Sequence, residues 1–197
     1  MPKLATIKEL QNRIAFYEDM DAYKHLYYLL FDGLYRFSYS LVKSKETAEE
    51  IVSDVFIKVW QIRSKLNDIN NLKVYLYTIT KNFSLNYITK ISKNPVVSLD
   101  TIDVESLVDI ITPQELCISS EIINKIRQAI QNLPPQCRLI FKLVKDDGLK
   151  YKEAAVVLNI SVVTVRNQMA IATKKIAQAL PAKFQSVIYT TNSFSVS

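Results

Sequence analysis

The sequence predicts an all-α protein made of two small helical domains joined by a linker. Only 2 Gly and 6 Pro occur among 197 residues, which leaves little material for the tight turns of a sheet-rich fold. Apolar residues recur at intervals of three and four along most of the chain, as they do on the buried face of a helix. This regularity stops between 92 and 115, where two prolines and several acidic residues favour a linker.

The first domain is predicted to cover residues 1–92 and to contain three helices. Residues 1–20 are interpreted as a loose lead-in with some helical periodicity. The first helix begins near Asp21, and the second runs from about Lys45 to Arg63, with glutamates in its first turns where they suit the positive helix N-terminus. The third helix is expected from about Asn71 to Ile91.

The second domain is predicted to cover residues 116–181, after a linker at 93–115. It is expected to form four helices, near 116–132, 135–145, 150–158 and 161–180. The tail, 182–197, ends in TTNSFSVS and is expected to be disordered.

The stretch from 151 to 177 predicts two helices that meet at a sharp turn, as in a helix-turn-helix. Asn159 occupies the turn, and Asn is the residue that best adopts the left-handed conformation after Gly. Ser161 follows as an N-cap for the second helix. The inward face of that helix is predicted to consist of Val165, Met169, Ala172 and Ile176.

The outward face of this second helix has side chains suited to reading DNA bases. Arg and Asn form paired hydrogen bonds with guanine and adenine edges, and Thr and Val contact the thymine methyl group. The predicted base-reading residues are Val162, Val163, Thr164, Arg166, Asn167 and Ala170. The predicted phosphate contacts are Lys150, Lys152, Lys174 and Lys175. An amphipathic hairpin with a solvated polar face remains the alternative.

Charge and composition favour a nucleic-acid partner and exclude several other classes. The formal charge of +6 favours an anionic partner, although basic proteins without one are common. Cys117, Cys137 and the single His25 rule out the usual zinc frameworks and Cys-His or Ser-His-Asp catalysis, so no enzyme, metal or cofactor site is expected. Both cysteines are predicted to be reduced, small core residues. Without a signal core or a membrane-spanning run, a cytoplasmic protein is expected.

Two segments resemble conserved regions of a known family. The segment NLPPQCRLIFKLVKDDGLKYKEAAVVLNISVVTVRNQ resembles region 4 of sigma-70 transcription factors, and TAEEIVSDVFIKVWQIRSKL with LKVYLYTITKNFSLNYITK resembles region 2. Their order and spacing resemble the short extracytoplasmic-function (ECF) sigma factors. The resemblance implies a specificity subunit that binds the RNA polymerase core at the β′ clamp coiled coil and the β flap. It also implies melting of the −10 promoter element by region 2, reading of the −35 element by region 4, and regulation by an anti-sigma factor, commonly membrane-bound.

The resemblance assigns core-polymerase binding to the second helix of the first domain. Its polar edge and part of its aromatic group are predicted to dock there. The predicted residues are Glu50, Asp54, Phe56, Ile57, Trp60 and Gln61. For the apolar members of this set, cover by another helix of the same domain is the alternative.

Contacts with the −10 element are predicted in the third helix and in the loop 64–71 before it. Aromatic rings stack on unpaired bases, lysine meets phosphates, and asparagine amides read base edges. The predicted residues are Asn67, Asn70, Asn71, Tyr75, Tyr77, Lys81, Asn82 and Asn86. Leu72, Leu76, Ile79 and Phe83 are predicted to face inward. Core or surface tyrosines and an ordinary polar loop are the alternatives.

Three of these positions depart from the family pattern. Tyr75 stands where tryptophan is common, Lys81 where arginine is common, and Asn86 where aspartate is usual. Tyrosine still stacks and lysine still carries charge, so strand melting is expected to survive the changes. Two other functions are compatible with the helical pattern. One is a two-component-type regulator in which only 120–180 acts on DNA, and the other is an anti-sigma or scaffolding protein without DNA contact.

Overall fold

The structure, a computed structural model, describes residues 6–91 and 120–181. The chain divides into two compact units, Met1–Val97 and Ser98–Ser197. The described helices of the first unit are α1 (Ile7–Tyr17), α2 (Met20–Val42), α3 (Lys45–Gln61), a 3-10 segment (Arg63–Asp68) and α4 (Leu72–Ile91). Those of the second unit are α5 (Ser120–Gln131), α6 (Pro135–Lys145), α7 (Tyr151–Leu158) and α8 (Val162–Gln178). No strand occurs in the described ranges, and the prediction of an all-α fold is confirmed.

Side-chain caps set where the first helices begin. Thr6 accepts a hydrogen bond from the N–H of Glu9, whose carboxylate accepts one from the N–H of Thr6, so a capping box starts α1. The interpretation of residues 1–20 as a loose lead-in is therefore wrong for α1. Asp19 caps α2 by accepting hydrogen bonds from two backbone N–H groups of its first turn, and Ser44 caps α3 by accepting one from the N–H of Thr47.

The core of the first unit lies around α2, which packs against α3, α4 and α1. Its buried face carries leucines spaced by four, Leu26, Leu30 and Leu34, of which none is more than 5% exposed. Each such side chain contributes about 1.5–3 kcal/mol when it is removed from water. Helix α1 also packs along the 3-10 segment. That segment replaces most of the loop predicted at 64–71.

The core of the second unit forms where α6 crosses α8, with α5 and α7 packed against α8. Cys137 lies here, buried and free, as predicted, and its thiol donates to the carbonyl of Gln168 at 3.2 Å. The predicted inward face of α8 is confirmed, because Val165, Met169, Ala172 and Ile176 are all buried.

Several predicted features fall outside the described residues. These are the linker at 93–115, the expected helical residues 116–119, the tail at 182–197, and Cys117. Among the helices that are described, none is by itself long and apolar enough to cross a membrane. Helices α7 and α8 pass such a test only when taken together, and the chain bends by 111° between them.

Candidate nucleic-acid interface

Helices α7 and α8 form a helix-turn-helix. The 111° bend between them lies in the range of that motif. Asn159 closes α7 in the left-handed conformation, with φ 57° and ψ 47°, as the sequence predicts. Ser161 starts α8 by accepting a hydrogen bond from the N–H of Thr164 at 2.9 Å, which confirms its prediction as the N-cap.

The predicted base-reading residues lie on the outer face of α8 or at its edge. Arg166, Asn167 and Ala170 are exposed, and 58% of Val163 is exposed although it is apolar. Val162 and Thr164 are half-buried, and the Thr164 hydroxyl shares a hydrogen bond with that of Ser161. One helix face therefore presents a guanidinium, an amide and methyl groups side by side.

Positive charge surrounds this face of the motif. Lys150 and Lys152 are exposed at the start of α7, and Lys174 and Lys175 are exposed toward the end of α8. The electrostatics connect the two helices, because burial raises the pKa of Tyr151 on α7 while the charge of Arg166 on α8 lowers it in part. All four predicted phosphate-contacting lysines are thus exposed, and their contact with phosphates stays a prediction.

The outer edge of α3 presents a second candidate surface. Glu50, Asp54, Ile57 and Gln61 are exposed at intervals of four, three and four, so they form one stripe along the helix. Ile57 is 52% exposed, so it adds a large apolar side chain to an otherwise polar stripe. This stripe contains four of the six residues predicted to bind polymerase.

The structure corrects the prediction for Phe56, which is only 2% exposed and cannot serve as a surface contact. Tyr23 and Tyr27 of α2 cover it, with ring centroids 6.2 and 4.7 Å from its own. Trp60 is half-buried against Tyr23 at 5.1 Å, and the guanidinium of Arg63 lies over its ring at 4.9 Å. Cover by α2 thus accounts for Phe56 completely and for Trp60 in part.

A row of aromatic side chains on α2 escaped the sequence interpretation. Its members are spaced by four, are all half-buried, and are Tyr23, Tyr27, Phe31, Tyr35 and Tyr39. Phe31, Tyr35 and Tyr39 stack in succession, with ring centroids 6.0 and 6.2 Å apart. Burial and, to a lesser degree, the charge of Glu49 raise the pKa of Tyr35, so the row passes close to the acidic start of α3. The four-residue spacing is the signal that could have revealed it.

On α4 the structure separates the predicted residues into two groups. Asn82 and Asn86 are exposed and Tyr75 is half-buried, so these three remain available to a partner. Tyr77, 1% exposed, packs on Phe37 at 5.5 Å, and Lys81, 7% exposed, is buried deeply enough that desolvation lowers its pKa.

The predictions that Tyr77 and Lys81 meet DNA at the surface are therefore wrong. The physical reason is that α4 packs against α1, α2 and α3, which widens its buried face beyond a single stripe. Ile79 and Phe83, predicted to face inward, are correspondingly only half-buried.

The three asparagines near the start of α4 are in different environments. Asn67 is half-buried, and its Oδ1 atom is fully buried without a hydrogen-bond partner among the described residues. Asn71 accepts a hydrogen bond from the N–H of Val74 at 3.1 Å and so caps α4. Asn70 is exposed between them. Asn71 is exposed as well, but its Oδ1 atom already serves as the cap, so Asn70 is the better candidate of the two for contact with a base.

Both compact units match parts of one protein family. The model for Sigma-70 region 2 matches residues 26–94, which include α2 from its second turn onward, α3 and α4. The model for Sigma-70, region 4 matches residues 123–176, which include α7 and all but the last two residues of α8. Together the two matches cover more than half of the chain, in the order of the family. The chain belongs to the sigma-70 family.

Individual relatives of this sigma factor are of the ECF type. It is 29% identical over 161 residues to the ECF RNA polymerase sigma factor SigW of Bacillus subtilis (strain 168), covering 77% of this chain and 84% of SigW. It is 28% identical over 127 residues to the ECF RNA polymerase sigma-E factor of Escherichia coli (strain K12), covering 61% of this chain and 66% of that protein.

A solved structure has the same fold as this sigma factor. It is the sigma factor RpoE of Bartonella quintana in complex with the anti-sigma factor NepR. The TM-score is 0.54 at 22% identity, and the match covers 80% of this chain and 95% of that one. The predicted resemblance to ECF sigma factors is confirmed by these findings.

Proposed function

We propose that this ECF sigma factor initiates transcription by reading the −35 element with the outer face of α8 and the −10 element with Asn70 and the exposed side of α4. One observation carries the proposal. An exposed row containing Val163, Arg166 and Asn167 lies on the second helix of a capped helix-turn-helix, in a chain that also has region 2. Recognition helices of such motifs enter the major groove with the residues of their first turns.

Each side chain of the α8 face suits a different part of the −35 element. Arg166 can pair with the O6 and N7 atoms of guanine, and Asn167 with the N6 and N7 atoms of adenine. Val163 and Ala170 can contact thymine methyl groups. Lys150, Lys152, Lys174 and Lys175 meet phosphates, which adds affinity without sequence preference.

Region 2 supplies the contacts for a separated strand. Tyr75 stacks on an unpaired base, since aromatic faces accept any base. Asn70, Asn82 and Asn86 have both hydrogen-bond donors and acceptors, and they are exposed to reach base edges. The buried Tyr77 and Lys81 support α4 from behind rather than touching DNA.

The polymerase core binds, in this proposal, along the stripe Glu50, Asp54, Ile57 and Gln61, with the exposed part of Trp60. Interfaces of this kind usually depend on a few apolar anchors with a polar rim. Ile57 is the anchor and the flanking acidic and amide groups form the rim. The β′ clamp coiled coil is the proposed partner of the stripe, and the β flap the proposed partner of region 4.

The factor acts in the cytoplasm as a regulator of transcription and not as a catalyst. An anti-sigma factor, of the kind that is commonly membrane-bound, holds it inactive. The complex of the RpoE neighbour with the anti-sigma factor NepR supports this regulation.

Run-off transcription tests the proposed function. The purified chain is added to RNA polymerase core on a library of promoters, and start sites are mapped. We expect initiation at a defined promoter class that requires both elements. A two-component-type regulator would bind DNA without programming core, and a scaffolding protein would leave the output independent of Arg166. Either result would refute the proposal.

A further inference from the structure

Gln11 ties helix α1 to the segment that leads into Asn70. The side chain of Gln11 is buried, with 1% exposed. Its Nε2 group donates one hydrogen bond to the carbonyl of Leu66 and a second, at 2.8 Å, to the carbonyl of Ile69. These partners lie 55 and 58 residues further along the chain. Both N–H groups of the Gln11 amide therefore donate to backbone carbonyls of one short segment, Leu66–Ile69.

Other contacts hold the same segment against α1 and α3. Leu66 is completely buried. Arg63, at the start of the segment, forms an ion pair with Glu18 at 3.0 Å and lies over the ring of Trp60. Gln11 therefore acts at the far end of a segment whose beginning and middle are already held.

The bond to Ile69 has a direct consequence for Asn70. The carbonyl of Ile69 and the N–H of Asn70 belong to one planar peptide group, so fixing the oxygen orients the backbone from which Asn70 projects. On the other side, Asn71 caps α4. Asn70 is exposed, yet the carbonyl of Ile69 before it accepts from Gln11 of α1, and the carbonyl of Asn71 after it accepts from the N–H of Tyr75 in α4.

We propose that Gln11 is a positioning residue for promoter recognition: its two hydrogen bonds hold the Leu66–Ile69 backbone so that Asn70 meets a base of the −10 element in a single orientation. This inference rests on the proposed function. Because the cost of orienting Asn70 is met during folding, the side chain is preorganised for the base. Gln11 itself touches no DNA.

A purely structural role for Gln11 predicts a loss of stability without a change in promoter selectivity. Removing the amide takes one donor from the carbonyl of Leu66, which keeps the N–H of Ile69, and takes the Gln11 donor from the part-buried carbonyl of Ile69. Stability falls in either case. Only a positioning role changes the relative use of promoters that differ at one −10 base, because a ratio of rates does not depend on the amount of folded protein.

The test is a double-mutant cycle on Gln11 and Asn70 in run-off transcription with polymerase core. Promoters carrying each of the four bases at every −10 position compete in one reaction, and the output gives a selectivity ratio at each position. We expect Gln11→Met to lower the ratio about threefold to tenfold at the position where Asn70→Ala also lowers it. In the Asn70→Ala background, Gln11→Met should produce no further loss of selectivity.

Gln128→Met is the matched control, because Gln128 is exposed on α5 and is far along the chain from the −10 candidates. It should leave every ratio unchanged. Should Gln11→Met fail to fold, Gln11→Asn retains the amide on a shorter stem and should give a smaller loss at the same position.

Unchanged ratios in a Gln11 variant with a lowered melting temperature would overturn the inference and leave Gln11 a stabilising residue. An undiminished loss in the Asn70→Ala background would also overturn it. A wild-type chain that does not program core would overturn the proposed function and, with it, this inference.

Discussion

Helix α8 has buried side chains on one face and exposed side chains on the other, and the exposed face is the one proposed to read DNA bases. Val163 and Val165 are both apolar, yet 58% of the first is exposed while the second is completely buried. In the proposed function, the exposed Val163 contacts a thymine methyl group and has polar neighbours. Arg166 and Asn167 are those neighbours. Each side chain on this face should therefore set the base preference at its own position of the −35 element.

Replacing Arg166 with Ala should weaken binding by about 1–3 kcal/mol at one −35 base pair, because a bidentate contact to a base edge is lost. Competitive transcription from promoters substituted at each −35 position measures this effect. The preference at one position should flatten while the others persist.

The matched variant for Arg166→Ala is Lys174→Ala, which removes a charge on the same helix. It should weaken all promoters equally and reduce the slope of log affinity against log salt by about 1. An equal loss on every sequence for Arg166→Ala would instead mean that Arg166 contacts only phosphate.

At the scale of the element, α3 shows how one helix serves both core and surface. Val52, Val55, Phe56 and Val59 lie inside, each at 2% exposure or less, and the stripe containing Ile57 faces outward. Phe56 and Ile57 are neighbours in sequence, but 100° of helical rotation separates a ring under α2 from a side chain in solvent. Substitutions at these two positions should therefore act by different mechanisms.

Ile57→Ser should lower affinity for polymerase core without lowering the melting temperature, because an exposed anchor is removed and no cavity forms. Phe56→Ala should destabilise the first unit by about 3–5 kcal/mol through the cavity that it leaves. Equilibrium binding to core and thermal unfolding measure the two effects.

Leu29→Ser is the control for Ile57→Ser, since Leu29 is also apolar and 48% exposed but lies on α2. It should retain normal affinity for core. Equal losses for both substitutions would argue that α3 has no special role in binding polymerase.

At the scale of the whole molecule, the chain consists of two compact units. The single tryptophan, Trp60, lies in the first unit, so its fluorescence reports the unfolding of that unit. Ile140 is completely buried in the second unit. These positions allow the stability of each unit to be measured in the intact chain.

Ile140→Ala should lower the stability of the second unit by about 2–5 kcal/mol, because it leaves a cavity in the core. The helical signal in circular dichroism should then show an earlier melting component, while the Trp60 fluorescence transition stays in place. Leu34→Ala, in the core of the first unit, should instead move the fluorescence transition. If Ile140→Ala moved both signals, the two units would be shown to unfold together.

The sequence alone determined the helical fold, the helix-turn-helix and the family. Local rules settle those features: Asn159 adopts the left-handed turn, Ser161 caps α8, and Val165 to Ile176 repeat with the period of one buried face. The exposure of Asn167 follows from the same period, because Asn167 lies opposite the buried stripe. Arg166 lies seven residues before the buried Thr173 and at nearly the same helical angle, so its exposure does not follow from the period alone.

Only the tertiary structure decided which residues of region 2 reach the surface. Tyr77 and Lys81 became buried because α4 packs against three other helices, and Phe56 because two tyrosines of α2 cover it. A helical period reveals one buried stripe, but it does not tell how many neighbours surround the helix. The hydrogen bonds from Gln11 to Leu66 and Ile69 join residues more than 50 positions apart. No local sequence pattern predicts a contact between residues so far apart in the chain.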